Sequence, residues 1–360
     1  MRNKRFMWVA VLAVFALLVA ACGDDEAETT TTTAAPTTTA APGPKVALVY
    51  DLAGRGDKSF NDSAAAGLDA AVAQYNLPEP FELEPSGGGE NREELLRLAA
   101  EQDVVFVLGN GFLFADSIAA VAAEHPDIMF AVTDGFVADL TADSNIVCMG
   151  FAEHEGSFLV GAAAALKSTS GHIGFIGGVE IDLIKKFEAG YVAGAQYINP
   201  DIVIDIAYIT QPPDFTGFND PAKGKEIARG MYDAGADVLY AAAGGSGTGM
   251  FQAAKEFSEG SGTHVWGIGV DSDSYLVEAE DLQPYILTSM LKEVGNGFVN
   301  LIGTLVDGSL VGGYISYGLA DGGVNYATSG GYIDDIVAQL EEIKADIISG
   351  AIVVPTAPPA

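Results

Sequence analysis

Asp103-Val-Val-Phe-Val-Leu-Gly-Asn-Gly111 and Asp237-Val-Leu-Tyr-Ala-Ala-Ala-Gly-Gly245 decide the fold. Each is a short apolar run broken by a Gly-rich turn. A helical stretch and a second apolar run follow in both. The second runs close on Val132-Thr133-Asp134 and on Gly269-Val270-Asp271. From opening to closing Asp the separations are 31 and 34 residues. Continuous apolar runs alternating with helices read as buried parallel strands with crossover helices. Any two such units look alike, but the shared terminal Asp favours two related lobes.

The neighbouring sequence extends the pattern. Residues 46–50 form an apolar strand ending at Asp51, and an Ala-rich helix follows over 61–75. Further strands are expected at 172–176, 203–209 and 265–270. The fold class is therefore α/β, with two Rossmann-like lobes built on parallel sheets. In open sheets of this kind ligands sit beyond the carboxyl ends of the strands. Asp51, Asp134 and Asp271 all lie at such ends, so facing lobes would line one cleft with three carboxylates. That arrangement suits a binding protein whose lobes close around a small molecule.

The amino terminus carries an address. Arg2, Lys4 and Arg5 precede an apolar run, Phe6 to Ala21, that stops at Val19-Ala20-Ala21-Cys22. This is the pattern of a lipoprotein signal peptide over residues 1–21, with Cys22 as the lipid attachment point outside the cytoplasmic membrane. Residues 22–44 are nearly all Thr, Ala, Pro and acid and read as a tether. The first lobe is expected over 45–150 plus about 275–315, and the second over 151–274 plus about 316–354.

The chain has 49 Asp and Glu against 17 Lys and Arg, a net charge of −32. Removing a basic leader takes it to about −35. Such a surface argues against nucleic acid as a partner, since its binders cluster Lys and Arg. With Cys22 lipidated, Cys148 stands alone and reads as a small buried residue.

Catalytic and metal-binding patterns are missing from the sequence. Gly245-Ser246-Gly247-Thr248-Gly249 has the wrong spacing for a nucleophile elbow. Lys223-Gly224-Lys225-Glu226 lacks the rest of a phosphate loop. Four histidines and one thiol leave few zinc ligands. No cofactor, no metal and no enzymatic activity are expected.

Gly56-Asp57-Lys58-Ser59-Phe60-Asn61 is the distinctive segment. Phe60 is a large apolar residue in a polar loop. It can stack on a flat ligand, or pack on the following helix as a staple. Asn61 offers an amide that both donates and accepts, suited to the edge of a heterocycle.

Asp57-Lys58-Ser59-Phe60-Asn61 resembles the signature of the basic membrane protein family, PnrA-like lipoproteins of ABC importers. Further matches are Glu155-Gly156-Ser157-Phe158-Leu159-Val160-Gly161, Phe187-Glu188-Ala189-Gly190-Tyr191, Phe218-Asn219-Asp220-Pro221-Ala222-Lys223-Gly224-Lys225 and Leu287-Thr288-Ser289-Met290-Leu291-Lys292. The resemblance covers residues 45 to 325. It implies a type I periplasmic-binding-protein architecture with hinge strands, and a purine nucleoside as ligand. Phe60 and Phe218 would sandwich the base, with Phe215 in the 211–217 loop a rival for the second plate. Asp51, Asn61 and Asp134 would face the base edge, and Asp271 and Lys292 would hold the ribose hydroxyls. Gly244 would bring backbone N–H groups near the ligand, or simply form a tight turn. Asp271 could equally cap a helix, and Lys292 could be a surface ion pair. The implied partners are an ABC permease and the membrane, through the lipid anchor, for a monomeric receptor. A receptor for a sugar, autoinducer or amino acid, or a surface nucleoside-processing enzyme, are the alternatives.

Overall fold

The computed structural model describes residues 42–358. The leader, Cys22 and most of the tether lie outside the described residues. Strands β1 (Val46–Val49), β2 (Phe81–Leu83), β3 (Phe106–Gly109), β4 (Met129–Thr133) and β5 (Ile146–Phe151) alternate with helices. Then β6 (His172–Val179), β7 (Val203–Thr210), β8 (Val238–Ala242), β9 (Trp266–Asp271) and β10 (Ile286–Lys292) repeat the alternation, and β11 (Gly313–Tyr317) and β12 (Val324–Tyr326) follow. The first sheet runs β11-β5-β4-β3-β1-β2, all parallel. The second runs β12-β10-β9-β8-β6-β7, parallel except for β12 against β10.

Apart from the late strands the two sheets share one order, with the first strand of each half lying between its second and third. The paired sequence stretches fall at matching places: β3–β4 in the first sheet and β8–β9 in the second. Their closing residues even share a backbone conformation, with φ of 62° at Asp134 and 65° at Asp271. Asp tolerates this left-handed region better than most residues. The strands are buried from end to end in β1, β3 and β8, which is why the sequence shows runs rather than alternation.

The chain crosses between sheets three times. It leaves β5 into helix Glu153–Lys167, leaves β10 into helix Val294–Asp307, and passes from β11 to β12. Residues 275–315, assigned from sequence to the first lobe, therefore divide. Strand β10 hydrogen-bonds to β9 in the second sheet, and the crossing falls after Lys292. Helix Val294–Asp307 packs on helix Phe60–Tyr75 of the first lobe. A Cβ on Gly67 would lie 2.2 Å from Cα of Gly295, so the helices touch backbone to backbone. That contact fixes the start of the helix carrying Phe60 against the residues just beyond Lys292.

Candidate functional site

One cleft lies between the carboxyl ends of the two sheets. Asp51, Phe60, Asn61, Asp134, Phe218, Gly244, Asp271 and Lys292 all line it. The sequence segments are hundreds of residues apart, and the doubled topology brings their strand ends together. Apolar surface comes from Phe112, Leu183, Ile184, Phe187 and Phe215 as well.

Lys292 is the electrostatic centre. It is 2% exposed, with Nζ 2.5 Å from Oδ2 of Asp134 and 3.2 Å from Oε1 of Glu153. The ammonium also lies 5.3 Å from the ring centroids of both Phe60 and Phe151. Burial opposes its charge, but Asp134, Glu153 and Asp271 outweigh burial and hold it protonated. The surface-pair alternative for Lys292 is thereby corrected: the pair is buried, because the end of β10 is covered by the first lobe.

Asp271 accepts a hydrogen bond from Ser59 Oγ at 2.5 Å across the cleft. Burial pushes its carboxyl up to about 6, against the pull of Lys292. The helix-capping alternative is overturned, since Asp273 caps the short helix Ser274–Val277 through Tyr275 N–H. Asp134 accepts from Lys292 through Oδ2, while its buried Oδ1 has no protein partner among the described residues.

Asn61 lines the cleft with its amide engaged by protein. Its Oδ1 accepts from Asp51 N–H at 3.1 Å and from Asn110 Nδ2 at 3.1 Å. Its Nδ2 donates to Leu52 O and to Asp57 Oδ2, each at 3.1 Å. All four hydrogen-bonding positions of the amide are spent on protein. In this structure Asn61 ties the first strand's loop together. Asp57 completes the knot by accepting the backbone N–H groups of Ser59, Asn61 and Asp62 at the start of the helix.

Phe60 and Phe218 are both half-buried and line the cleft from opposite lobes. The Phe218 ring lies on Gly178, where a Cβ would come within 2.5 Å of it. Phe215 instead meets Phe112 edge-on across the cleft, with centroids 5.8 Å apart and planes at 63°. Gly244 has φ of +55°, a tight turn that glycine permits. Lys58 Nζ reaches Glu278 Oε2 in the opposite lobe at 2.7 Å, and Ser272 Oγ donates to Ser59 O at 3.0 Å.

Sequence reasoning passed over Arg92, Glu153, Ser59 and Glu278. Glu153 had a usable signal, because it follows the buried strand β5 as Asp134 follows β4. Arg92 and Glu278 had none, since their partners come from distant segments. Among the described residues no group of His, Cys, Asp and Glu is arranged to hold a metal.

Residues 44–357 match the family model described as Bmp, ABC transporter substrate-binding protein PnrA-like. The chain belongs to this family. The ABC transporter nucleoside-binding protein BmpA of Lactococcus lactis is 38% identical over 326 residues, covering 87% of this chain and 89% of that protein. Basic membrane protein A of Borreliella burgdorferi is 32% identical over 318 residues, covering 87% and 88%. A solute-binding protein of an ABC transporter system from Aeropyrum pernix superposes with a TM-score of 0.73 at 28% identity, over 87% of this chain and 94% of that one. The α/β fold is thus that of periplasmic-binding-protein-like receptors, and the Bmp chain is a substrate-binding protein by family. No helix among the described residues is long and apolar enough to cross a membrane.

Proposed function

We propose that this Bmp protein is the lipid-anchored receptor of an ABC importer and that its cleft binds a purine nucleoside. The observation that carries the reading is the opposition of Phe60 and Phe218 from two lobes above the buried Asp134–Lys292–Asp271 group. A flat base fits between rings, and each stack contributes about 1 kcal/mol beyond the area it buries. Vicinal hydroxyls suit a carboxylate acceptor beside an ammonium donor, which Asp271 and Lys292 supply. Asp51 and Asp134 are left to take N–H groups of the base, with Asn61 holding the Asp51 loop in place. The nucleoside-binding relative from Lactococcus lactis supports the same class of ligand.

Binding needs no covalent step. The lobes would open about the three crossings and close on the ligand. The receptor acts as a monomer, docks on its permease in the closed form, and is held to the membrane through Cys22. The test is the melting temperature of the chain with adenosine, guanosine, inosine, cytidine, uridine and ribose. A ligand that binds only the folded state raises it. Stabilisation by purine nucleosides alone is expected. A shift with ribose or another sugar, and none with any nucleoside, would keep the fold and overturn the ligand.

A further inference from the structure

Asp51 stands in the cleft wall with one carboxylate oxygen committed. Its Oδ1 accepts from Arg92 Nη2 at 2.7 Å and from Leu52 N–H at 2.8 Å. Its Oδ2 lies against Gly111, where a Cβ would fall 2.2 Å away, and among the described residues no protein group donates to it. Both Asp51 and Gly111 line the cleft, whereas Arg92 does not.

Arg92 is itself buried, at 8% exposure. It is locked from three sides. Nη1 donates to Gly89 O at 3.0 Å, and the guanidinium lies over Phe114 with 5.5 Å to the ring centroid. A Cβ on Gly89 would meet the guanidinium at 2.4 Å, so the Gly87-Gly88-Gly89 turn is wrapped around it. A buried arginine is costly to desolvate unless its pairing is good. This one is paired to a single carboxylate, and that carboxylate lines the cleft.

We propose that Arg92 is a positioning residue that holds Asp51 as an ionised, acceptor-only group, and so sets the cleft's preference for ligands whose flat edge carries an N–H donor. The inference rests on the nucleoside reading of the cleft. A carboxylate with Oδ1 neutralised from behind keeps Oδ2 as a directional acceptor. Burial raises the Asp51 carboxyl and Arg92 pulls it back down, so without the guanidinium the protonated form gains and the free oxygen becomes a donor or a mixed group. Adenosine offers an exocyclic amine to such an acceptor, while purine riboside lacks it and offers only ring nitrogens. The side chain at 92 never touches the ligand, so its effect appears in the ratio of the two affinities.

The experiment is calorimetric titration of the native chain, Arg92→Met and Arg92→Lys with adenosine and with purine riboside. The native chain should prefer adenosine by about tenfold or more, the worth of one charged hydrogen bond. Arg92→Met should lose most of that ratio, and Arg92→Lys should restore part of it because an ammonium can still neutralise Oδ1. A merely structural role for Arg92 lowers both affinities together, and that result overturns the inference. An unchanged ratio in Arg92→Met overturns it too. Should Arg92→Met fail to fold, the comparison of Arg92→Lys with the native chain decides, because a lysine cannot reproduce the two-pronged contact to Asp51 and Gly89 and the ratio must fall. Binding of neither compound by the native chain overturns the nucleoside reading, and this inference with it.

Discussion

Phe60 shows how one side chain can hold two roles that sequence leaves open. It begins the helix Phe60–Tyr75, packs in part on the core, and still presents a face to the cleft beside the Lys292 ammonium. Phe60→Ala is therefore expected to abolish measurable nucleoside binding while the chain stays folded, as read by calorimetry alongside circular dichroism. Asp271 titrates within reach of ordinary buffers. Its carboxyl is raised to about 6, so the folded state binds a proton that the unfolded chain has already lost over the interval from the ordinary Asp value up to 6. Stability of the unliganded chain should thus fall, not rise, as pH increases through that interval. For the proposed nucleoside, binding should run the other way, because hydroxyl donors need the ionised carboxylate. Affinity should weaken by about tenfold per pH unit below 6 and level off above it, and Asp271→Asn should flatten the profile. Lys292 has no such titration to offer. Replacing it with Met leaves Asp134 and Glu153 buried without their cation, at a cost of about 3–5 kcal/mol, readable as a lowered melting temperature.

The strand ends line the cleft. The rule that ligands gather beyond the carboxyl ends of parallel strands pointed to Asp51, Asp134 and Asp271 before any coordinates. The same rule applied to β5 and β10 also reaches Glu153 and Lys292. The spent amide of Asn61 was not legible, because its partners at Asp51, Leu52, Asp57 and Asn110 are joined only by folding. Nor was the place of β10. Its apolar run suits either sheet, and only its pairing with β9 assigns it to the second. Across the cleft, Lys58–Glu278 and Ser59–Asp271 tie the loop before helix Phe60–Tyr75 to the opposite lobe. These contacts exist only when the lobes meet. Ser59→Ala should therefore raise the dissociation rate of bound nucleoside by several-fold, with less effect on association, in stopped-flow fluorescence.

For the molecule as a whole, two halves of one topology face each other and leave a cleft rich in carboxylates. Asp51, Asp57, Asp134 and Asp271 line it, with Lys292 as the cation among the lining residues. A nucleoside 5′-monophosphate would bring two further negative charges into that wall, so nucleotides should bind at least about a hundredfold more weakly than their nucleosides. The surface charge of −32 adds to that bias at low salt and should matter less as salt rises. Whether this cleft closes on a purine nucleoside is decided by a crystal structure of the protein with adenosine. The base is expected between the Phe60 and Phe218 rings, its amine toward Asp51 or Asp134, and its ribose hydroxyls on Asp271 and Lys292. A base resting on Phe112 and Phe215, or a cleft without adenosine at saturating concentration, would overturn that reading.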